Sequence, residues 1–197
     1  KAFKSVVDKG GKVCAINAKG CANYTRRELD ELVEFAKANG AKGLAWFAVE
    51  EELRSPVTKF MSESEIQSFR TKMEATEGDL LLVVADKQKV AYPCLGSLRL
   101  ELAKRMGLID KNTLRFVWIT EFPLLEYDEE EKRYVAVHHP FTSPYEEDLE
   151  YLETEPSRVR AKAYDLVLNG TELGGGSIRI HNRSIQERMF RALGLDM

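Results

Sequence analysis

The 197-residue sequence has no apolar run longer than the six residues of Leu44–Val49 and Leu80–Ala85. A membrane-spanning helix needs about twenty consecutive apolar residues, so none is expected. Its three cysteines, Cys14, Cys21 and Cys94, show no C-x-x-C spacing and cannot all pair within one chain. That argues against a zinc knuckle or a disulfide framework and reads as reduced, packed thiols of a cytoplasmic protein. Positive charge is not in excess: 29 Lys and Arg stand against 32 Asp and Glu, a formal net charge of −3. A general nucleic-acid coat is thereby excluded. A G-x-G-x-x-G fingerprint, a P-loop, internal repeats and low-complexity stretches are also missing. The chain opens Lys1-Ala2-Phe3 without a charged-then-apolar leader, so no secretory signal is expected, and a Lys start reads as an excised segment. What is present, 44% hydrophobic and 31% charged residues, is the composition of a folded chain with one large or two small domains.

The first half alternates short apolar runs with helical periods. Lys12–Asn17, Leu44–Val49 and Leu80–Ala85 read as strands, the last apolar throughout and so expected to be buried on both faces. Thr25-Arg26-Arg27-Glu28 is a capping box ahead of a helix that aligns Leu29, Leu32, Val33 and Ala36, with Asn39-Gly40 as its stop. Ser62-Glu63-Ser64-Glu65 opens a second helix carrying Ile66, Phe69 and Met73, expected to run until Gly78. Leu95, Leu98, Leu102 and Met106 stripe a third, ending at Gly107. The face with Arg26, Arg27 and Lys37 reads as a solvated helix surface.

The second half has a different texture. Phe116–Thr120 reads as a strand that continues through Phe122–Tyr127 past a kink near Pro123, and Tyr134–Val137 returns as its hairpin partner across the charged turn Asp128–Lys132. Pro156 at a first helical position predicts a helix over Ser157–Leu168, stopped by Asn169-Gly170. Glu172–His181 is strand-like, and Ser184-Ile185-Gln186-Glu187 predicts the cap of a final helix. The boundary falls near Leu108–Thr113, giving domains 1–110 and 111–197 in an α+β chain.

Three clusters carry candidate chemistry. His138-His139-Pro140-Phe141-Thr142 lies at a strand end, where adjacent side chains point apart, so a two-His metal site is not expected. Glu172-Leu173-Gly174-Gly175-Gly176-Ser177-Ile178-Arg179-Ile180-His181 combines a carboxylate, three glycines and a guanidinium. The glycines either admit another molecule close to the backbone or make a loose turn. Arg179 suits two-point binding of a carboxylate or phosphate, and a carboxylate such as Glu172 near bound phosphates usually holds Mg²⁺. Asp165, in Ala163–Gly170, either joins Glu172 at one cation or pairs with Arg160 or Lys162 on a helix surface.

These strings, together with Phe116–Pro123 and His138–Pro144, resemble bacterial-type aspartyl-tRNA synthetase, four motifs in order and spacing. Gly40–Ala45, Ser55–Phe60 and Leu95–Leu100 resemble that enzyme's insertion domain, which is shared with a tRNA-dependent amidotransferase subunit. The resemblance implies an insertion domain over 1–110, followed by a partial class II catalytic domain with an antiparallel sheet over 111–197. It implies aspartate, ATP with Mg²⁺ and tRNA(Asp) as substrates, tRNA(Asn) as well in a non-discriminating parent, and a homodimeric parent without a membrane anchor. Carried over residue by residue, His138 and Arg179 lie at aspartate, Glu172 at ATP and Mg²⁺, and Asp165 at the same metal. The three class II signature motifs and the anticodon-binding domain are not found here, so the segment alone is expected to be inactive and monomeric. The rival readings are an amidotransferase-like tRNA-binding module without adenylate chemistry and an α/β interaction domain.

Overall fold

The computed structural model describes residues 2–195 and divides into two compact units, Lys1–Asp110 and Lys111–Met197. The fold is α+β with antiparallel sheets throughout. In the first unit the order is α1 (Ala2–Val7), β1 (Lys12–Ala18), α2 (Arg26–Ala38), β2 (Ala45–Val49), β3 (Leu53–Arg54), α3 (Glu63–Lys72), β4 (Leu80–Asp86) and α4 (Gln88–Arg105). The sheet order is β1-β4-β2-β3, so β4, apolar from Leu80 to Ala85, lies inside it. Alternation then splits its residues between two cores. Leu80, Leu82 and Val84 pack with Leu29, Leu32 and Ala36 of α2 and with Ala91, Cys94, Leu95, Leu98 and Leu102 of α4. Leu81 and Val83 pack with Phe47, Val49 and Leu53, against which Ile66, Phe69 and Met73 fold in. All three cysteines are free, with Cys21 and Cys94 buried.

Both expected capping boxes form, at Thr25 with Glu28 and at Ser62 with Glu65. Arg26, Arg27 and Lys37 pair with Asp30, Glu31 and Glu34 on their own helix. The stop of α3 differs from expectation. Gly78 lies in the turn before β4, and the helix instead ends at Lys72 because Glu74 takes φ 49°. The Ala75 N–H reaches the Arg70 carbonyl at 3.0 Å and the Glu74 N–H reaches that of Thr71 at 3.1 Å, the paired closure of a Schellman motif. In α2 and α4 the same position is glycine, Gly40 and Gly107. A left-handed backbone costs a side-chain-bearing residue about 1–2 kcal/mol, partly offset in glycine by its extra unfolded-state freedom. Glu74→Gly is therefore expected to stabilise the unit by about 0.5–1 kcal/mol, read as a higher denaturant midpoint with unchanged slope.

The turn between α3 and β4 is fixed by a buried carboxylate. Asp79, 3% exposed, accepts from Lys19 Nζ (2.8 Å), the Thr76 N–H (2.9 Å), Asn17 Nδ2 (3.1 Å), Thr76 Oγ1 (3.2 Å) and the Gly20 N–H (3.2 Å). Burial pushes this carboxyl up, but Lys19, the Thr76 amide, Asn17 and the Gly20 amide outweigh it and hold it well below the usual carboxylate range.

The second unit runs β5 (Phe116–Pro123), β6 (Leu125–Asp128), β7 (Arg133–Ala136), β8 (Arg160–Leu168), β9 (Thr171–Ser177) and α5 (Arg183–Ala192). One sheet has the order β5-β8-β9, and β6-β7 is the expected hairpin. The helix expected over Ser157–Leu168 is instead a three-residue turn, Pro156–Arg158, followed by strand β8. The period is two: Ala161 and Ala163 are buried while Arg160 and Lys162 between them are not. Asn169 (φ 49°) and Gly170 (φ 83°) are accordingly not a helix stop but the central residues of a two-residue hairpin turn, both left-handed. The final helix begins earlier than expected. Asn182, not Ser184, is its cap, accepting the Ser184 N–H at 2.9 Å. Met189 and Leu193 bring α5 onto a core of Leu124, Leu125, Leu152, Val159, Ala161 and Ala163. Among the described residues no helix is long and apolar enough to cross a membrane.

Candidate functional site

The β8–β9 hairpin brings the two candidate carboxylates to one sheet face. Asp165 stands opposite Ile119 on β5 and Gly175 on β9, and Val167 stands opposite Glu172. Directly opposed residues share a face, and Asp165 and Val167 share theirs by the two-residue period, so Asp165 and Glu172 lie on the same side of adjacent strands. A bulge makes this so. From Ala163↔Ser177 to Leu166↔Gly174 the pairing descends in step, but between Leu166 and Val167 it slips and leaves Leu173 unpaired. Continued without the slip, the register would set Glu172 opposite Leu168, on the other face.

The glycine run does something other than the two roles expected of it. A Cβ on Gly175 would meet the Asp165 carboxylate and would lie 2.9 Å from the Tyr164 carbonyl oxygen. One on Gly176 would lie 2.9 Å from the Tyr164 hydroxyl and 3.1 Å from its ring. These two glycines make room for the protein's own side chains, Asp165 on one face and Tyr164 on the other. Gly174 has open space around its Cβ position. It borders a shallow apolar depression of about 350 Å³ on the Tyr164 face, lined by Trp118, Tyr164, Leu166 and Leu173. The Trp118 and Tyr164 rings meet there edge to face at 5.9 Å.

Arg179 is exposed and sits in an isolated antiparallel bridge with Thr142. His138, also exposed, packs its ring edge-on against Phe122 at 4.7 Å, while His139 turns to Phe141 at 5.0 Å and its Nδ1 accepts the Phe141 N–H at 3.1 Å. The two histidines thus separate, as expected. Among the described residues, Asp165, Glu172, Arg179 and His138 make no side-chain hydrogen bond or ion pair. The pairing of Asp165 with Arg160 or Lys162 does not occur. Arg160 is held by Asp148 (2.8 and 3.1 Å), Glu147 (3.1 Å) and Glu121 (3.4 Å), and Lys162 by Glu146. Arg160 in turn keeps the Asp148 carboxyl below the usual carboxylate range, through its side chain and its own N–H.

No group of three or more His, Cys, Asp or Glu side chains converges among the described residues. Two uncommitted carboxylates on one face are instead the sparse, all-oxygen donor set that Mg²⁺ takes when phosphates and water complete its shell. Sequence reasoning missed Thr142 and Ser177, whose hydroxyls meet at 3.2 Å between the His138 loop and β9. No sequence signal announces them: that Thr142 is only 1% exposed is a property of the tertiary fold.

Residues 3–95 match the model of the GAD domain family. The chain is 61% identical over 193 residues to the aspartate–tRNA(Asp/Asn) ligase of Caldanaerobacter subterraneus subsp. tengcongensis, with 98% of the chain and 33% of the relative covered. It is 59% identical over 196 residues to that of Syntrophomonas wolfei (99% and 33% covered), and 56% identical over 195 residues to the aspartate–tRNA ligase of Clostridium botulinum (98% and 33% covered). The similarity is therefore to aspartate–tRNA ligases along nearly the whole chain, which spans about a third of the length of these relatives.

Proposed function

We propose that this chain is part of an aspartate–tRNA ligase: a GAD-type insertion domain followed by the part of the catalytic sheet that receives aspartate and Mg²⁺-ATP. The observation that carries the reading is the placement of Asp165 and Glu172 on one face with no competing cation partner, in a chain about 60% identical to such ligases throughout. Identity over 98% of the chain also runs well past residue 95, into a region that an amidotransferase-like tRNA-binding module does not require.

In this reading Arg179 takes the side-chain carboxylate of aspartate. A planar guanidinium offers two parallel donors to a carboxylate, and the amide of asparagine cannot accept both. His138 borders the same substrate, its ring fixed by Phe122. Asp165 and Glu172 are the residues that would hold Mg²⁺, which when bound offsets the negative charge of the ATP phosphates during adenylate formation. Gly175 lets Asp165 lie flat across β9, so the carboxylate is positioned before any ligand arrives. The aspartyl group then passes to tRNA(Asp), and to tRNA(Asn) where the whole enzyme accepts both.

Aspartate-dependent ATP–pyrophosphate exchange tests this. A chain of the relatives' full length containing this segment is expected to exchange, and the 197-residue chain is not, because the remaining two thirds of the relatives' length supplies the rest of the site. Arg179→Lys in the longer chain should raise KM for aspartate at least tenfold while leaving KM for ATP near its starting value. Absence of aspartate-dependent exchange in the long chain would overturn the assignment, and robust exchange by the 197-residue chain would overturn its incompleteness.

A further inference from the structure

We infer that Thr142 is a positioning residue for Arg179, and so a determinant of aspartate affinity that does not itself touch the substrate. The inference rests on the reading above, in which Arg179 receives the aspartate carboxylate. Arg179 lies beyond the end of β9 at Ser177, one residue past the last bond to β8, which the Ile178 N–H donates to the Lys162 carbonyl at 2.9 Å. The segment after the two histidines replaces that support. The Ser143 N–H donates to the Ile178 carbonyl at 2.8 Å, and the Ile180 N–H donates to the Phe141 carbonyl at 2.8 Å. These two bonds flank the Thr142–Arg179 pair and make it an antiparallel bridge. Opposed residues of such a pair share a face, with Cβ atoms about 4.5–5.5 Å apart.

Thr142 is the fixed member of the pair: it is buried, whereas Arg179 is exposed. Its N–H turns back to the His139 carbonyl at 2.9 Å, closing the loop that carries His138, and its Oγ1 reaches Ser177 Oγ at 3.2 Å, the last residue of β9. Gln186 Nε2 holds the same loop from α5 by donating to the Pro140 carbonyl at 3.2 Å. The hydroxyl pair is thus the side-chain tie between the histidine loop and the strand that delivers the guanidinium. A two-point contact needs the guanidinium plane set in advance, so loosening this tie should weaken aspartate binding in particular.

The test uses the full-length enzyme and exchange kinetics with aspartate and ATP varied separately. Thr142→Val keeps the buried shape and removes the hydroxyl. It is expected to raise KM for aspartate roughly tenfold with KM for ATP and kcat changed less than twofold, and Thr142→Ser should restore the wild-type value. Ser177→Ala cuts the same bond from the other side and decides the matter if Thr142→Val fails to fold. In an Arg179→Lys background the Thr142→Val increment should disappear, because both act through one contact. An unchanged KM for aspartate in folded Thr142→Val or Ser177→Ala enzyme overturns the inference, as does a loss of kcat or of ATP affinity without a selective aspartate effect. If the wild-type enzyme shows no aspartate-dependent exchange, the ligase reading itself falls and takes this inference with it. If the wild type exchanges normally and the variants match it, only the role of Thr142 is lost.

Discussion

Asp79→Ala is expected to cost the first unit about 2–4 kcal/mol, because one charged acceptor is removed from five hydrogen bonds at once. The substitution leaves the Asn17 amide and the Thr76 and Gly20 N–H groups without their acceptor, and releases Lys19, which is itself largely exposed. Most of the loss therefore comes from the donors that lose their shared acceptor rather than from the exposed ion pair. For a unit of this size, 1 kcal/mol moves the melting midpoint by about 4–8 °C, so a drop of about 8 °C or more is anticipated. Trp46, buried in the same unit, reports the transition by fluorescence in a Trp118→Phe background. The effect carries a pH signature. Because the folded carboxyl titrates below its unfolded value, the stabilisation is complete above about pH 5 and drains away as pH falls below it. Wild type and variant should therefore differ most near neutrality and converge in acid. A variant that melts within 3 °C of wild type at pH 7 would show that the network contributes little.

Gly175→Ala should impair adenylate formation by about a hundredfold in the full-length enzyme while leaving it folded. The new Cβ falls on the Asp165 carboxylate and within 2.9 Å of the Tyr164 carbonyl, so either the carboxylate rotates away or the two strands separate locally. Misplacement of a positioned group by about 1 Å costs on the order of 10²-fold in rate. Gly174→Ala is the internal control, since its Cβ meets open space, and should retain activity within about twofold. The comparison is made as kcat/KM for Mg²⁺-ATP in pyrophosphate exchange, with thermal melts to verify folding. Equal activity of the two variants would remove Asp165 from the machinery.

Much of this was legible in the residues, and each failure has its own physical source. The first unit reads correctly because its signals are local: Thr25–Glu28 and Ser62–Glu65 cap as their spacing requires, and the apolar run of β4 is buried on both faces. The early stop of α3 was hidden because Glu74 accepts a backbone conformation that glycine signals more openly elsewhere. In the second unit, Pro156 at a first helical position predicts a helix, whereas Ala161 and Ala163 alternate with Arg160 and Lys162 on a strand whose buried side meets the core under α5. That error made Asn169-Gly170 a helix stop instead of a hairpin turn, although Asn-Gly between apolar runs is also a strong hairpin signal. Asp165 and Glu172 share a sheet face, and they do so across a hairpin rather than across the helix stop expected between them. Their meeting depends on strand register, a non-local property that neither residue announces.

The slip at Leu173 absorbs one residue without disturbing the pairs on either side of it: Leu166 stands opposite Gly174 and Val167 opposite Glu172, with Leu173 between them unpaired. A chain missing Leu173 should therefore close the hairpin with a more regular ladder, lose nothing in stability, and still present Glu172 on the face of Asp165. A chain that kept Leu173 and paired it with Val167 would instead turn Glu172 to the opposite side, where no single ion can meet both acids. At this position a gap in an alignment leaves the chemistry as it was, and the pairing of Leu173 is what decides it.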